Sequence, residues 1–225
     1  MYSSPPVIIA VTNQKGGIGK TTTAISIAGE WFRRGRKVLV VDADPQGSAR
    51  RWASEADDRE LEHPHVVGLE SGSTIARQVP EMSQQYDHVV IDTPPRLAQA
   101  TRGALVVADL AIVPVGPGGL DTWALEETLD VLDEASALNP DLRVQYFLTR
   151  FDPRASDREQ TESTLKDSKT YPFFKATYGL RVGYQRAFTV GQVPSDYDPV
   201  IAAEVSTLVD EVERKMKQWQ RRSRR

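Results

Sequence analysis

The sequence predicts an α/β fold built on a doubly wound, mostly parallel sheet with helices on both faces. Short runs rich in Val and Ile recur along the chain, as expected for parallel strands that are buried on both faces. Stretches with the helical spacing of apolar residues separate these runs, and this alternation is typical of an α/β sheet. We expect one domain, residues 1–225, which ends in a basic tail at about residues 214–225.

The strand and helix signals follow one another in order along the chain. Strands are predicted at residues 7–12, 38–41, 89–91, 110–113 and 144–148, where the apolar runs lie. Helices are predicted at residues 21–34, 97–108, 122–138, 156–169 and about 200–219. The apolar residues of the last helix should form one face that packs on the sheet: Ile201, Val205, Leu208, Val212, Met216 and Trp219.

A glycine-rich loop joins the first predicted strand to the first helix, and residues 15–22 read Lys-Gly-Gly-Ile-Gly-Lys-Thr-Thr. Such a loop can wrap its backbone N–H groups around phosphate oxygens at the positive end of a helix. We expect Lys20 to lie along the β- and γ-phosphates of a nucleotide, Thr21 to enter a Mg²⁺ shell and Thr22 to reach the α-phosphate. The other residues expected to line the phosphates are Gly16, Gly17, Ile18 and Gly19.

Carboxylates follow two of the predicted strands. Asp42 and Asp44 come at the end of the second strand, and Asp92 ends the run Val-Val-Ile-Asp at residues 89–92. In an open parallel sheet, ligands bind at the carboxyl ends of the strands. Asp92 is therefore the candidate to hold Mg²⁺ through water, and Asp42 should support the outer shell of the metal or cap the turn.

The glycine loop departs from the strict pattern G-x-x-x-x-G-K-[ST]. Gln14 stands where that pattern has its first glycine, and a second lysine, Lys15, lies five residues before Lys20. This arrangement resembles the deviant Walker A loop of the ParA/MinD group of P-loop ATPases. The resemblance implies ATP and Mg²⁺ as cofactors, an ATP-sandwich homodimer in which Lys15 reaches the nucleotide of the second subunit, and Asp44 as the residue that orients the attacking water. It makes Lys15, Lys20 and Asp44 the catalytic candidates.

The resemblance is weaker beyond about residue 95, and it carries the remaining assignments. Arg150 and Pro194 are expected near the adenine. The segment Arg181-x-x-Tyr184-x-Arg186 is similar to a loop that lies near the DNA-facing surface of the dimer in small ParA proteins. Arg221 and Arg222 belong to the basic tail, residues 214–225, which has seven basic and no acidic side chains although the formal net charge of the chain is −3. Such a tail suits a polyanion, and a frayed solubilising end is the alternative.

Composition excludes several function classes. Because the chain contains no cysteine, it can form no disulfide, no thiolate zinc site and no iron–sulfur cluster held in the usual way. We find no signal peptide or membrane span in the sequence and expect a cytoplasmic protein.

The resemblance implies a bacterial, nucleoid-associated ATPase. It would bind double-stranded DNA without sequence preference and partition or position a cargo, such as a plasmid, a chromosome region or a carboxysome. A cargo-bound adaptor protein, similar to ParB or equivalent to it, would stimulate hydrolysis. The alternatives are a MinD-like ATPase that sits on a membrane and a metabolic ATP-dependent ligase. Residues 217–225 contain one Trp and no Leu, Ile or Phe, so the membrane alternative is the weaker.

Overall fold

A computed structural model describes residues 6–96, 98–117, 122–151 and 171–223 of the chain. Within these ranges seven strands form one sheet, and each strand pairs with its neighbours in parallel. The strands are β1 (Val7–Val11), β2 (Val38–Asp42), β3 (His65–Gly68), β4 (His88–Asp92), β5 (Leu110–Val115), β6 (Arg143–Phe151) and β7 (Phe173–Gly179). Their spatial order is β3-β2-β4-β1-β5-β6-β7, which confirms the predicted doubly wound α/β fold.

Helices connect the strands and cover both faces of the sheet. They are α1 (Lys20–Arg33), α2 (Ser48–Asp57), α3 (Gly72–Ser83), α4 (Ala98–Val107), α5 (Thr122–Leu138), α6 (Val182–Thr189), α7 (Pro194–Tyr197) and α8 (Pro199–Ser223). All five predicted strands are present, with small shifts at their ends. Four of the predicted helices are present in the same way, as α1, α4, α5 and α8. The helix predicted at residues 156–169 lies outside the described residues. The sequence did not predict β3, β7, α2, α3, α6 or α7.

Alternate residues of each central strand enter two separate cores. In β1, Ile9 and Val11 belong to the core under α1, α2 and α8, whereas Ile8 and Ala10 belong to the core under α3, α4 and α5. Both faces are therefore closed to solvent, and this explains the unbroken Val and Ile runs of the central strands.

Helix α8 packs its apolar face against the sheet, as predicted. Ile201, Val205, Leu208 and Val212 are completely buried, and the face rests on α1 and β7. In the described part of the chain no helix has the length and apolar content needed to cross a membrane.

Strand register brings the predicted site residues together at one edge of the sheet. Asp92, the last residue of β4, is paired in register with Val11 of β1 on one side and with Asp42 of β2 on the other. The loop that follows β1 and the two carboxylates that end β2 and β4 therefore lie side by side at the carboxyl edge.

At the opposite edge a half-buried histidine stacks on a tryptophan. The His88 and Trp31 rings stack with their centroids 4.0 Å apart, and His88 Nδ1 is buried without a hydrogen-bond partner among the described residues. Burial is the main cause that lowers the pKa of His88 from 6.5 to about 4. Because the folded state disfavours the charged ring, this group contributes its full stability above pH 6.5 and loses it as the pH falls towards 4.

We predict that His88→Gln flattens the acid limb of the stability profile. The difference between the two pKa values corresponds to at most about 3 kcal/mol between pH 6.5 and 4, and this pH-dependent part should disappear in the variant. Urea unfolding at half-unit pH intervals measures it. His65→Gln, at an exposed position, is the control and should keep the wild-type profile. If the free energy of unfolding fell equally steeply with falling pH in wild type and in His88→Gln, His88 would not be the source of the acid-sensitive stability.

Candidate functional site

The glycine loop after β1 has the backbone conformation that its glycines allow. Gly17 and Gly19 have positive φ angles of 70° and 98°, and Gly19 is the N-cap residue of α1. A residue with a Cβ would be strained at both positions. Lys20, the first residue of α1, is buried and its Nζ donates a hydrogen bond to the Lys15 carbonyl oxygen at 2.9 Å. The loop thus curls around its own lysine at the N-terminus of a helix, where an anion is stabilised.

Buried polar contacts from two distant elements fix the start of this loop. Asn13 Nδ2 donates to the Pro114 carbonyl oxygen in β5 at 2.8 Å, and Asn13 Oδ1 accepts from the Lys15 backbone N–H at 2.8 Å. The Gln14 N–H donates to Thr128 Oγ1 in α5 at 3.1 Å. Sequence analysis did not identify Asn13 or Thr128, because the partners lie more than a hundred positions apart in the chain.

Asp92 is a fully buried carboxylate with unfilled hydrogen-bonding capacity. Neither of its oxygens has a hydrogen-bond partner of standard geometry among the described residues, although the Thr21 hydroxyl lies close enough to favour the charged form. Burial is the main cause that raises the pKa of Asp92 to about 7, and the neighbouring Asp42 adds to the effect. A buried carboxylate in this state needs a proton or a cation.

Asp42 is equally buried, but the backbone satisfies it. Its Oδ1 accepts from the Asp44 N–H at 3.1 Å and its Oδ2 accepts from the Arg50 N–H at 2.9 Å. Asp42 therefore caps the turn between β2 and α2 and the first turn of α2, which is one of the two roles predicted for it. Its other predicted role, in the outer shell of a metal, stays a prediction.

Asp44 lies half-buried in the turn that Asp42 holds. Its Oδ1 accepts from the Gln46 N–H at 2.9 Å, and the other carboxylate oxygen has no hydrogen bond from the described residues. Burial lowers the pKa of the Lys20 ammonium, and the charges of Asp92 and Asp44 oppose that effect. Lys20, Asp44 and Asp92 therefore form one electrostatic cluster.

In the part of the chain that the structure describes, no group of three or more acidic or imidazole side chains could hold a metal by itself. A site with one or two carboxylates is what Mg²⁺ needs when phosphate and water supply its other ligands.

A groove of about 400 Å³ runs from the glycine loop towards α6. Its lining includes Gly17, Gly19, Thr21 and Thr22 at one end and Thr149, Arg150, Arg181 and Tyr184 further along. Arg150, at a positive φ of 61°, donates from Nη1 to the Gly17 carbonyl oxygen at 2.8 Å. Pro194 begins α7, is buried, and is not among the residues that line this groove. The positions of Arg150 and Pro194 near the adenine stay predictions.

The residues predicted to face DNA lie on helices. The segment expected to be a loop is the start of α6, and Arg181 is its N-cap residue. Arg181 is paired with Glu204 of α8, with Nη2 2.7 Å from Oε1, and Tyr184 donates to the other oxygen of Glu204 at 3.0 Å. Arg186 and Arg221 are exposed, whereas the side chain of Arg222 lies outside the described residues.

Comparisons with known proteins agree with this architecture. The model of the family described as CobQ/CobB/MinD/ParA nucleotide binding domain matches residues 9–178. The chain is 33% identical over 197 residues to "Maintenance of carboxysome distribution protein A" of Halothiobacillus neapolitanus, an alignment that covers 85% of this chain and 88% of the relative. It is 35% identical over 189 residues to "Chromosome-partitioning ATPase Soj" of Thermus thermophilus, covering 70% and 75% of the two chains.

Solved structures share the fold at lower identity. The apo McdA structure of Cyanothece superposes with a TM-score of 0.74 at 17% identity, covering 92% of this chain and 99% of that one. The septum site-determining protein MinD of Pyrococcus horikoshii, solved with Mg-ADP, superposes with a TM-score of 0.71 at 20% identity, covering 95% and 98%.

We predict that Asp92→Asn stabilises the protein at neutral and higher pH. The pKa of Asp92 is raised on folding, so its favourable contribution is complete below pH 3.8 and is lost as the pH rises through 7. The uncharged amide should remove that loss, so that the variant is more stable than wild type at pH 8 by about 1–3 kcal/mol. Thermal and urea unfolding at pH 5 and pH 8 measure it.

Asp42→Asn is the matched control on the neighbouring strand. It should destabilise the protein by about 1–3 kcal/mol, because an amide NH₂ would replace an oxygen that accepts a backbone N–H. Stabilisation by Asp42→Asn, or destabilisation by Asp92→Asn at pH 8, would contradict the different states of the two carboxylates.

Proposed function

Because the chain belongs to the family of CobQ/CobB/MinD/ParA nucleotide binding domains, we propose that it binds ATP with Mg²⁺ and hydrolyses it to ADP and phosphate. The observation that carries the proposal is the cluster of Lys20, Asp44 and the partnerless Asp92 at the mouth of a glycine loop. The groove of about 400 Å³ beyond the loop offers space for the nucleoside.

Each loop residue has a specific task in this proposal. Backbone N–H groups of Gly16, Gly17 and Gly19 surround phosphate oxygens, and Thr22 reaches the α-phosphate. The Lys20 ammonium moves from the Lys15 carbonyl oxygen to the β- and γ-phosphates, a better partner for a buried cation. The side chain of Ile18 is buried and would support the loop by packing beneath it.

The residues present fit a magnesium ion. The Thr21 hydroxyl would bind it directly, and the buried oxygens of Asp92 would hold one of its water ligands, which gives them the partner they lack. When bound, Mg²⁺ would neutralise charge on the β- and γ-phosphates. Asp44, with one oxygen engaged by Gln46, would orient the attacking water with the other.

Lys15 supports a dimer that encloses the nucleotide. Its backbone is fixed on both sides, by Asn13 at the N–H and by Lys20 at the carbonyl oxygen, but its ammonium has no hydrogen-bond or ion-pair partner among the described residues. A half-buried lysine whose backbone is held on both sides suits a contact between its ammonium and the phosphates of a second subunit.

The cellular task proposed is to partition or position a cargo in the bacterial cytoplasm. Relatives at 33% and 35% identity are named for carboxysome distribution and for chromosome partitioning, and both tasks move a large object. The ATP-bound dimer would bind nucleoid DNA through Arg186, Arg221, Arg222 and, when freed from Glu204, Arg181. A cargo-bound adaptor protein would then stimulate hydrolysis and release. The cargo is a carboxysome, a chromosome region or a plasmid.

Membrane attachment is the less supported alternative. A MinD-like anchor needs a helix face of bulky apolar residues free to enter a bilayer. The apolar face of α8 is occupied instead, with Met216 9% exposed and Trp219 packed on the core.

We predict that Lys15→Ala abolishes ATP-dependent dimerisation and leaves ATP binding by the monomer within about fivefold of wild type, because the residue acts on the other subunit. Light scattering with Mg-ATP and titration of a fluorescent ATP analogue measure the two properties. Lys37→Ala, at the opposite edge of the sheet, is the charge-matched control. If Lys15→Ala formed dimers at the same ATP concentration as the wild-type protein, the proposed contact of Lys15 with the second subunit would be refuted.

We predict that Asp44→Ala binds Mg-ATP but hydrolyses it about 10²–10³ times more slowly, because the attacking water is no longer held in line. Single-turnover hydrolysis of radiolabelled ATP measures the rate. Asp57→Ala, an exposed aspartate in α2, should keep the wild-type rate. If Asp44→Ala hydrolysed ATP at the wild-type rate, another group would have to orient the attacking water.

We predict that neutralising Arg186 or Arg221 weakens DNA binding by the ATP form independently of sequence. Each lost phosphate contact should lower the slope of log K against log salt by about one, or by about two if a dimer presents the residue twice. Arg181→Ala should have a smaller effect because Glu204 already neutralises it. Arg59→Ala, paired with Glu55 in α2, is the control. Equal DNA binding by the ATP and ADP forms would count against this surface.

A further inference from the structure

One arginine connects the turn that carries Asp44 to two neighbouring segments. Arg50 Nη2 donates to the Asp44 carbonyl oxygen at 3.2 Å and to Glu70 Oε1, in the segment after β3, at 2.8 Å. Its Nε is buried and lies 3.6 Å from Asp42 Oδ2 at the end of β2. The same residue donates its backbone N–H to that Asp42 oxygen at 2.9 Å. The side chain therefore bridges β2, the turn and the β3–α3 connection.

Two glycines make room for the Arg50 side chain. A Cβ on Gly68, the residue that ends β3, would lie 2.9 Å from Arg50 Nη1 and 3.0 Å from its Cδ. A Cβ on Gly47 would lie 3.2 Å from Nη2. A side chain at Gly68 would thus displace the guanidinium, although this glycine does not have the positive φ that Gly47 has. The glycine at position 68 is explained by the arginine.

The orientation of Asp44 depends on its carbonyl group. The Asp44 side chain has only the Gln46 N–H as a hydrogen-bond partner among the described residues. Pro45 follows Asp44, and the proline ring fixes the φ angle of Pro45. The conformation of the turn therefore depends on the ψ angle of Asp44. Rotation about ψ changes the direction of the Asp44 carbonyl group relative to the Asp44 side chain. The carbonyl oxygen is held by two donors, Arg50 Nη2 and the Gly47 N–H at 2.8 Å.

We propose that Arg50 is a positioning residue for Asp44, which fixes the turn so that the Asp44 carboxylate meets the attacking water. This inference rests on the proposed function, ATP hydrolysis. The Arg50 guanidinium is engaged by the Asp44 carbonyl oxygen, Glu70 and Asp42, so we assign it to positioning Asp44 and not to binding the nucleotide. Lysine cannot replace it fully, because a single ammonium cannot place one nitrogen beside Asp42 and another at the Asp44 carbonyl oxygen and Glu70, as Nε and Nη2 of the guanidinium do.

The test compares hydrolysis with binding in four variants. Arg50→Ala should lower the single-turnover rate of ATP hydrolysis about 10–100-fold while the Kd for a fluorescent ATP analogue changes less than about threefold. Arg50→Lys should fall between Arg50→Ala and wild type. Gly68→Ala should reproduce most of the loss without altering the arginine. Arg59→Ala, the control at an exposed arginine that follows α2 and pairs with Glu55, should leave both quantities unchanged.

A second measurement separates positioning from a general loss of structure. Hydrogen exchange at the Gly47 amide, which shares the Asp44 carbonyl oxygen with Arg50, should be faster in Arg50→Ala, whereas exchange in β1 and β4 should stay as in wild type. Arg50→Ala in an Asp44→Ala background should cost no further rate, because the two residues act as one unit.

The outcomes distinguish the inference from the proposal on which it rests. A wild-type protein that does not hydrolyse ATP overturns both. Wild-type hydrolysis with unchanged rates in Arg50→Ala and Gly68→Ala overturns the role of Arg50 alone. An equal loss of rate and of ATP affinity, or an additive loss in the double variant, also overturns it, since Arg50 would then support the binding site and not Asp44.

Discussion

The register of three parallel strands is the constraint on which the site depends. Pairing of β4 with β1 and β2 places Asp92 directly beside Asp42 and beside the strand that leads into the glycine loop. Two buried carboxylates on adjacent strands would repel each other if both stayed uncompensated. Burial raises the pKa of both carboxyl groups, but their hydrogen bonds differ. Two backbone N–H groups donate to Asp42 and oppose the rise in its pKa, whereas the oxygens of Asp92 have no such partner among the described residues. One carboxylate supports the turn, and the other is available for a cation.

The surrounding contacts make the site rigid before any ligand arrives. Asn13 and Thr128 anchor the start of the glycine loop, and Arg50 anchors the turn that carries Asp44. The Lys20 ammonium donates to a carbonyl oxygen of the loop itself, so in the proposed function it would exchange this partner for a phosphate. Preorganisation of this kind reduces the reorganisation that a transition state would otherwise require. The groove, in contrast, ends at Arg181 and Tyr184, whose shared partner Glu204 belongs to α8. Under the proposed function, the nucleotide groove and the proposed DNA-binding surface would meet at that cluster.

Local signals in the sequence were sufficient to locate the central strands, the glycine loop and the carboxylates of the candidate site. Strands β1, β2, β4 and β5 are buried on both faces, so each is a continuous apolar run. Strand β3 has no fully buried residue and β7 alternates at the edge of the sheet, so neither has such a run and neither was predicted. The candidate site could be located because its residues stand at the end of a strand or just after one: the glycine loop, Asp42, Asp44 and Asp92. The parallel topology of the sheet then brings them together.

Contacts between distant residues could not be read in this way. Thr128 supports a loop 114 positions away, and Glu204 neutralises Arg181 from 23 positions away. Arg50 was missed for a different reason, since an arginine in the first turn of an amphipathic helix has no local feature in the sequence that separates it from a solvated side chain. The R-x-x-Y-x-R segment was recognised as a unit, but it forms the start of α6 and not a loop, because Val182 to Thr189 include the buried Tyr184 and Ala187 at helical spacing.

The most direct test of the central claim is a crystal structure with Mg²⁺ and a non-hydrolysable ATP analogue. Our account predicts phosphates in the glycine loop, the Thr21 hydroxyl on the metal, Asp92 in contact with a metal-bound water, and Asp42 still accepting the Asp44 and Arg50 N–H groups. A nucleotide bound elsewhere, or a metal held by Asp42 while Asp92 stays without a partner, would contradict it.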